Sequence, residues 1–409
     1  MTDNPTAEPT GTGFGRFWSA GTLSALGTAL TAVALPVLLV DDLAADTLQV
    51  GIVNAAQFAP YAALGLLAGV WVDRWRRRPT LVIASLGRAA SLGAIPVLWA
   101  LGVLEVWSLA ALMLVFGGFS VFGFAASQSL LPRIVPRTAL LAANARLDQG
   151  EAAAQTGGPT LGGALVGWLG APVTILVDAV TYVVDALLVA TIRTNEERRP
   201  RRRRRIAAEA AEGLRATYRH PSLGPLAVST HVWFVANAAA LTILAVLALR
   251  TMAFDPLLYG LLFTVAGVTA LIGATLAARA GIRFGQGPVI VAARAAYPVA
   301  WTLVAIAPAL DRPFGIAVVF AALALHGLAG GFENANELSY RQLVTGDELL
   351  GRVSATMRSA NRTMAVVGAL GGGALAAWAG EGVALVAVIA LFAAALLIGA
   401  LTPLRRARA

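Results

Sequence analysis

Two glutamates lie one helical turn apart in a segment that is otherwise almost wholly apolar, "FGIAVVFAALALHGLAGGFENANELSY". Glu333 and Glu337 share one face of a helix, because side chains four residues apart are neighbours on its surface. An ionisable group inside a membrane span is costly and usually belongs to a transport pathway or to a buried partner. Burial and a second nearby acid both favour the neutral carboxyl, which lets such a group exchange protons near neutral pH. We therefore expect Glu333, and less strongly Glu337, to couple protons; the alternative is structural pairing with Arg362 or Arg358.

Other ionisable side chains fall within apolar segments. Glu151 is a further candidate for proton coupling, or pairs with Arg146. Arg88 and Asp185 lie at similar depths in their segments, so we expect a structural ion pair between them. His231 and Asn237 are candidates for binding a polar group of a substrate, although a lone histidine in a span is more often a packing residue.

The elements that must position these groups are membrane helices. The chain has 409 residues, of which 58% are hydrophobic and 13% charged, whereas a soluble domain carries about a quarter charged residues. Apolar stretches long enough for a hydrocarbon core recur from end to end. Twelve helices are predicted: Phe17–Val40, Gln49–Val72, Thr80–Leu101, Trp107–Leu131, Leu140–Trp168, Ala171–Ile192, Leu226–Leu249, Pro256–Arg279, Gly287–Pro308, Pro313–Leu338, Leu350–Trp378 and Gly382–Leu401.

The distribution of arginine predicts the orientation. All 31 basic residues are arginine, and most fall in the tails and in every second connection. The connections between them hold acids instead, among them Asp41, Glu105 and Asp311. This positive-inside pattern places both termini in the cytoplasm. The formal net charge of +9 therefore indicates orientation and contact with lipid headgroups, and we expect no nucleic-acid partner.

The predicted organisation has five parts. Residues 1–16 are a polar cytoplasmic tail without the features of a signal peptide. Residues 17–192 and 224–404 form two six-helix bundles. Residues 193–223 form an Arg-rich cytoplasmic linker with an amphipathic helix, and residues 405–409 a basic tail.

The two bundles are predicted to be repeats of one another. Gly162-Gly163 matches Gly371-Gly372, and Arg74 matches Arg283, each 209 residues apart (371 − 162 = 209). At this spacing Glu333 matches Phe124 and Glu337 matches Gln128. Two parallel six-helix repeats are typical of transporters that alternate access around a midplane site.

Two motifs carry glycines where helices must meet or turn. "GVWVDRWRRRP" connects the second and third predicted helices; Gly69 allows close helix contact, Asp73 can accept bonds from a helix N-terminus, and Arg74 and Arg77 can pair with acids. The alternative for this loop is a positive-inside turn only. "GGPTLGG" places a proline kink and small residues in the fifth helix. Its residues are Gly158, Pro159, Gly162 and Gly163.

These motifs resemble those of the major facilitator superfamily. The first is similar to its G-x-x-x-D-R-x-G-R-R loop, with Arg76 in place of a glycine, and "GGPTLGG" resembles the core motif of its antiporter branch, with Ala154 in place of an earlier glycine. "SQSLLPRIVP", "LVDAVTYVV" and "SYRQLVTGDELLGRVSATMR" also resemble the subgroup of enterobactin-type siderophore exporters and macrolide-type efflux proteins. Thr28 and Phe124 stand where that subgroup often has acids.

The resemblance implies an all-α membrane protein with twelve transmembrane helices in two six-helix pseudo-repeats and a central cavity. It places Glu333 facing that cavity, since the first, fourth, seventh and tenth helices line it in this superfamily. The residues then expected at the cavity, as substrate contacts, are Thr28, Phe124, Gln128, His231, Asn237, Asn334 and Arg362.

The predicted function is secondary active export of an amphiphilic small molecule, such as a drug, antibiotic or siderophore, by proton antiport. An uptake symporter or an uncoupled facilitator on the same fold is the alternative, and an intramembrane enzyme is a remote one, because zinc-protease and paired-aspartate motifs are missing. We expect no cofactor and no metal. The expected partners are the substrate, protons and lipids, with a monomer in a bacterial inner membrane.

Overall fold

The computed structural model describes residues 12–194 and 206–407, and this part of the chain is built from α-helices and short turns. The side chains at 12, 66, 67, 69, 70, 73, 74, 206–210 and 347 are not described. The helices of the first half are α1 (Thr12–Val37), α2 (Thr47–Arg74), α3 (Arg77–Ala100), α4 (Val106–Ile134), α5 (Leu140–Leu169) and α6 (Ala171–Ala190). Those that follow are α7 (Ile206–Tyr218), α8 (Leu223–Val246), α9 (Pro256–Phe284), α10 (Gln286–Ile306), α11 (Arg312–Val344), α12 (Asp347–Ala379) and α13 (Glu381–Leu401).

Local sequence fixes where these helices begin and end. Asp46 caps α2 by accepting the backbone N–H of Gln49 at 2.8 Å, and Asp255 caps α9 by accepting that of Leu258 at 2.8 Å. Each cap supplies an acceptor to a helix N-terminus that would otherwise leave donors unbonded. At the other end, Gly170 and Gly380 stop α5 and α12 with φ of 82° and 89°, a conformation that favours glycine.

Membrane-crossing helices account for most of the described chain. Nine helices, counted over the described residues, are long and apolar enough to cross a membrane. They are α1, α3, α4, α6, α8, α9, α10, α11 and α13, three of them with a short extension. Helices α2, α5 and α12 have 28, 30 and 33 residues but are more polar or less fully described. Twelve crossings therefore stay a prediction.

The two halves repeat, with one change in register that the sequence comparison did not reveal. Leu38–Asp42 and Leu247–Thr251 form matching π-helical turns after α1 and α8 (247 − 38 = 209). From α4 onward the spacing is 210: the α5 and α12 end glycines are Gly170 and Gly380 (380 − 170 = 210). Residues 121–130 and 331–340 also show the same order of buried and exposed positions at this spacing. The second half thus has one extra residue between α10 and α11.

The halves meet through two pairs of helices. Helix α2 packs against α12, and α5 packs against α9. Glycines allow both contacts: a Cβ on Gly51 would lie 2.4 Å from the Ala369 carbonyl oxygen, and one on Gly260 would lie 2.2 Å from that of Pro159. Thr160 also donates a 2.7 Å hydrogen bond to Thr264 across the α5–α9 contact.

The hydrophobic core is shared between the halves at only one end. One buried cluster contains residues from both halves, including Val37, Leu39 and Leu247 at the far end, the end opposite the chain termini. At the basic end, where the Arg-rich connections lie, there are two separate clusters. One lies within the first half around Phe14 and Leu130, and the other within the second half around Leu223 and Met357.

Candidate functional site

A cavity of about 810 Å³ lies between the two halves. Its walls come from α1 to α6 of the first half and from α8, α9, α11 and α12 of the second half. It extends from Phe116 and Trp233, next to the shared core, to Phe17, Leu81 and Leu147 near the basic end. A mostly apolar cavity of this size, with a few polar groups, is typical of a site for a small organic molecule.

Several predicted site residues line this cavity. Thr28, Phe124, Glu151 and Arg362 are among its walls, as are Pro159 and the expected structural pair Arg88 and Asp185. The Thr28 hydroxyl lies 2.8 Å from that of Tyr182, and Gln155 donates a 2.9 Å hydrogen bond to Glu151. The structure thus places Glu151 beside the cavity, bonded to Gln155.

Glu333 and Glu337 do not line the cavity; instead they share one arginine of the same half. Arg294 on α10 donates from Nε to Glu333 Oε1 at 2.9 Å and lies 3.6 Å from Glu337 Oε2. The Tyr297 hydroxyl donates a hydrogen bond to the other oxygen of the same carboxylate, Glu333 Oε2, at 2.7 Å. The side chain of Arg294 is 0% exposed, that of Glu333 7% and that of Glu337 13%. We name this group the Arg294 cluster.

The expectation that Glu333 faces the cavity was wrong, and the one-residue change in register is the physical reason. Glu333 corresponds to Gly123 rather than Phe124, and Asn334 takes the position of Phe124. One residue turns a helix by about 100°, so the carboxylate points at α10. The expected structural partners, Arg358 and Arg362, are not the residues that pair with it; Arg294 is. The sequence contained a signal for this, since Arg294 is an ionisable residue in the middle of a span.

The Glu337 carboxylate is held less completely than that of Glu333. The Thr230 hydroxyl donates to Glu337 Oε2 at 3.0 Å and itself accepts an N–H of Arg294 at 2.8 Å. Arg294 thus bonds to Glu333 directly but reaches Glu337 mainly through Thr230. One guanidinium therefore lies between two carboxyl groups.

The remaining predicted polar contacts lie away from the cavity walls. His231 bonds to the Tyr218 hydroxyl of α7 and to Asn361 of α12, both at 2.7 Å, so it joins three helices and is not a cavity group. Asn237 is half-buried, and its Oδ1 has no hydrogen-bond partner in the described structure. Gln128 and Asn334 are exposed but are not among the cavity's lining residues.

The first half holds its own charged group at the cavity. Arg88 and Asp185 lie 3.9 Å apart, and Ser85 connects them by accepting from Arg88 at 2.9 Å and donating to Asp185. The Arg88 guanidinium also stacks on the Tyr182 ring, 4.3 Å from its centre. This pair within one half matches the arrangement we expected, although both members also reach the cavity.

A further carboxyl group, Asp178, is buried between α1 and α6 and was not assigned a partner from the sequence. It is 0% exposed and accepts hydrogen bonds from Thr31 at 2.6 Å and from Thr181 at 3.2 Å. Gly27 makes this approach possible, because a Cβ there would lie 2.3 Å from Asp178 Oδ1. Helix α6 therefore supplies an acid to the part of α1 where the sequence comparison found none.

The kink motif of α5 lies where three helices meet. Gly158 and Gly162 contact α1 at Ala29 and Leu30, and a Cβ on Gly163 would lie 2.3 Å from the Pro256 carbonyl oxygen of α9. The spacing of 210 pairs Gly162 with Gly372, which packs on Ala239 of α8. Gly371, the match expected from the sequence, has open space around it.

The "GVWVDRWRRRP" connection between α2 and α3 is only partly described. Helix α2 ends at Arg74 and α3 begins at Arg77, whose side chain is buried. The positions of Gly69, Asp73 and Arg74 lie in α2, and their side chains are outside the described part, so the expected hydrogen bond of Asp73 to a helix N-terminus stays a prediction. No group of three or more His, Asp and Glu side chains in the described residues is arranged to hold a metal ion.

Comparisons with known proteins place these features in a family. Residues 6–409 match the family model for transmembrane secretion effectors of the major facilitator superfamily (MFS). The MFS-type transporter y4rN of Sinorhizobium fredii is 27% identical over 325 residues, covering 78% of each chain. The multidrug efflux pump Tap of Mycolicibacterium fortuitum is 29% identical over 49% of this chain and 51% of that protein. Among solved structures, a mutant of the nucleoside transporter NupG has a TM-score of 0.77 at 11% identity, covering 95% of this chain and 99% of that one.

Proposed function

Because the chain belongs to the transmembrane secretion effector family of the major facilitator superfamily, we propose that it exports an amphiphilic small molecule from a bacterial cytoplasm in exchange for protons. The proposed membrane arrangement has twelve spans with both termini in the cytoplasm. In it, bundles 17–192 and 224–404 move against each other, and the linker 193–223 tethers them. Alternating access around a midplane site between two repeats is the mode of transport that this arrangement permits.

The cavity between the halves is the observation that carries the proposal. The shared core closes the far end, while separate cores leave the basic end free to part. Under the proposed orientation the cavity faces the cytoplasm, where an exporter binds its substrate. Parting of the halves at the far end, with closure at the basic end, would then expose the same cavity on the other side.

The Arg294 cluster supports proton coupling. A buried arginine with two carboxyl groups is close to electrical balance only when one carboxyl is protonated. Glu337 is the member that we assign to proton exchange, because its bonds are longer and it lies nearer the basic end. Glu333 then keeps Arg294 in place. Asp178 and Glu151 are proposed as further carboxyl groups of the coupling pathway in the first half.

The direction of transport has separate support. The family description names secretion, and Tap, which matches about half of this chain, is named as a multidrug efflux pump. A proposed substrate class of drug, antibiotic or siderophore follows from this likeness. The likeness to NupG is at 11% identity and supports the fold alone.

The test is dye accumulation in bacterial cells that lack their own major efflux pumps. We expect cells making the protein to hold less of an amphiphilic fluorescent dye than cells carrying an empty vector. A proton ionophore should remove that difference, because it collapses the gradient that drives export. The dye set should include anionic, neutral and cationic members.

Two outcomes would contradict the proposal. Higher dye levels in the producing cells would indicate uptake. A difference that the ionophore leaves unchanged would indicate an uncoupled facilitator. Everted membrane vesicles provide the matched control, since an exporter must accumulate dye in them when a pH gradient is imposed.

A further inference from the structure

We infer that the cavity selects anionic aromatic amphiphiles, and that Arg362 of α12, which lines the cavity, binds the acidic group, with Arg358 one helical turn away. The inference rests on the proposed function, in that the cavity is taken as the substrate site. It reverses the substrate preference that two glutamates in the cavity would have given, because Glu333 and Glu337 lie outside the cavity walls.

The two arginines are held by aromatic rings, as Arg88 is, but unlike Arg88 they have no carboxylate partner in the described chain. Arg358 stacks on Phe124, 4.2 Å from the ring centre. Arg362 stacks on Phe58 and Tyr61, at 5.0 and 5.5 Å. Neither arginine has a carboxylate partner or donates a hydrogen bond to any residue of the described chain.

Stacking leaves the arginines ready to bind an anion. A guanidinium that lies over an aromatic ring contacts the ring through the flat face of the guanidinium group. Its five N–H donors then point outward in the guanidinium plane. A carboxylate, sulfonate or phosphate can accept two of these donors side by side. The neighbouring rings of Phe58, Tyr61 and Phe124 then offer an apolar surface to the body of the same ligand.

The other ionisable groups that line the cavity do not offset this positive charge at the same wall. Arg88 and Asp185 form a pair joined by Ser85. Glu151 lies on α5, which packs against α9, whereas Arg362 lies on α12, which packs against α2. The side of the cavity where α12 packs against α2 is therefore positive, and the rings of Phe58 and Tyr61 on α2 lie against Arg362.

The test measures binding rather than transport, with three probes of one shape. The protein in lipid nanodiscs is titrated with 2-naphthalenesulfonate, with neutral naphthalene-2-methanol and with the 2-naphthyltrimethylammonium cation, and binding to empty nanodiscs is subtracted. We expect the sulfonate to bind at least about tenfold more tightly than the cation, the size expected for a hydrogen bond to a charged group. Arg362→Gln should weaken sulfonate binding by about tenfold or more and leave naphthalene-2-methanol almost unaffected.

Matched variants separate charge recognition from folding. Arg352→Gln is the control, because Arg352 lies on the same helix but pairs with Glu212 at the surface, with its side chain 37% exposed. Arg362→Lys keeps the charge without the planar fork and should give an intermediate loss. Arg362→Lys also tests sulfonate binding if Arg362→Gln does not fold.

Equal binding of the three probes, or sulfonate binding that Arg362→Gln and Arg362→Lys do not weaken, would overturn the inference. So would an equal loss in Arg352→Gln. Failure of this inference is distinct from failure of the proposed function: charge selection in nanodiscs can hold without proton-driven export, and export can occur without charge selection.

Discussion

At the scale of residues, the unequal bonding of two glutamates is the main feature. Glu333 accepts from Arg294 and from the Tyr297 hydroxyl, while Glu337 accepts from Thr230 and lies 3.6 Å from Arg294. A charge that is well bonded stays ionised, and one that is less well bonded changes protonation first. We therefore propose Glu337 as the group that exchanges protons, whereas the sequence favoured Glu333.

Replacing Glu337 should separate coupling from transport. Glu337→Gln keeps the shape and the bond to Thr230 but cannot release a proton. In vesicles with an imposed pH gradient, we expect gradient-driven efflux of a dye to fall at least about tenfold, the usual loss when a proton-transfer group is removed. Exchange of dye without a gradient should persist, because it needs no net change in protonation.

Glu333→Gln is the matched comparison, since it removes the same charge from the other member of the Arg294 cluster. This variant leaves a buried arginine with a neutral primary partner, which costs about 3–5 kcal/mol when a buried pair is broken. We expect loss of thermal stability to accompany its loss of transport. If Glu337→Gln pumps as well as the parent protein, the proton is carried by another group. Glu151 and Asp178 would then be the next residues to test.

At the scale of elements, the linker helix α7 is fixed to the second half. Arg352 of α12 pairs with Glu212 at 2.7 Å. Gly213 allows the close approach, because a Cβ there would lie 2.6 Å from Thr356 Oγ1 and 3.0 Å from the Arg352 carbonyl oxygen. His231 adds the Tyr218 bond at the end of α7. Helix α7 should therefore move with α12 when the halves rock.

Gly213→Leu should detach α7 from α12. The larger side chain must displace backbone atoms of α12, so the helix loses its packing face while the bundles stay folded. We expect the protection factors of the backbone amides of Ile206–Tyr218 against hydrogen exchange to fall at least about tenfold, since local opening sets that protection. Gly351→Leu on α12 is the control, because its Cβ position has open space. Equal protection in the two variants would refute the docking role of Gly213.

At the scale of the whole molecule, the hydrophobic cores of the two halves are joined at the far end and separate at the basic end. Arg250 of the second half contributes to that closure by donating to the Ala45 carbonyl of the first half at 2.9 Å. Asn54 likewise donates to Thr242 at 3.2 Å across the same boundary. Access to the opposite side of the membrane requires these contacts to break.

A disulfide across the closed end should trap this state. The chain has no cysteine, and the Thr160 and Thr264 hydroxyls lie 2.7 Å apart, so Thr160→Cys with Thr264→Cys places two sulfur atoms within bonding reach. Oxidation should abolish dye transport, and reduction should restore it. Each single variant is the control and should transport under both conditions. Transport by the fully cross-linked protein would show that α5 and α9 need not separate.

The sequence by itself determined the helical membrane class, the approximate helix positions and the repeat, because hydropathy, glycine placement and helix caps act locally. It also identified Thr28, Phe124, Glu151 and Arg362, which reach the cavity. Only the tertiary structure decided which residues contact the buried carboxyl groups. One extra residue before α11 turned Glu333 by about 100° from the cavity to Arg294, and α6 brought Asp178 against Gly27 of α1. A carboxylate's role depends on which groups surround it in space. Those groups lie on other helices, and a local sequence pattern does not predict how those helices are rotated.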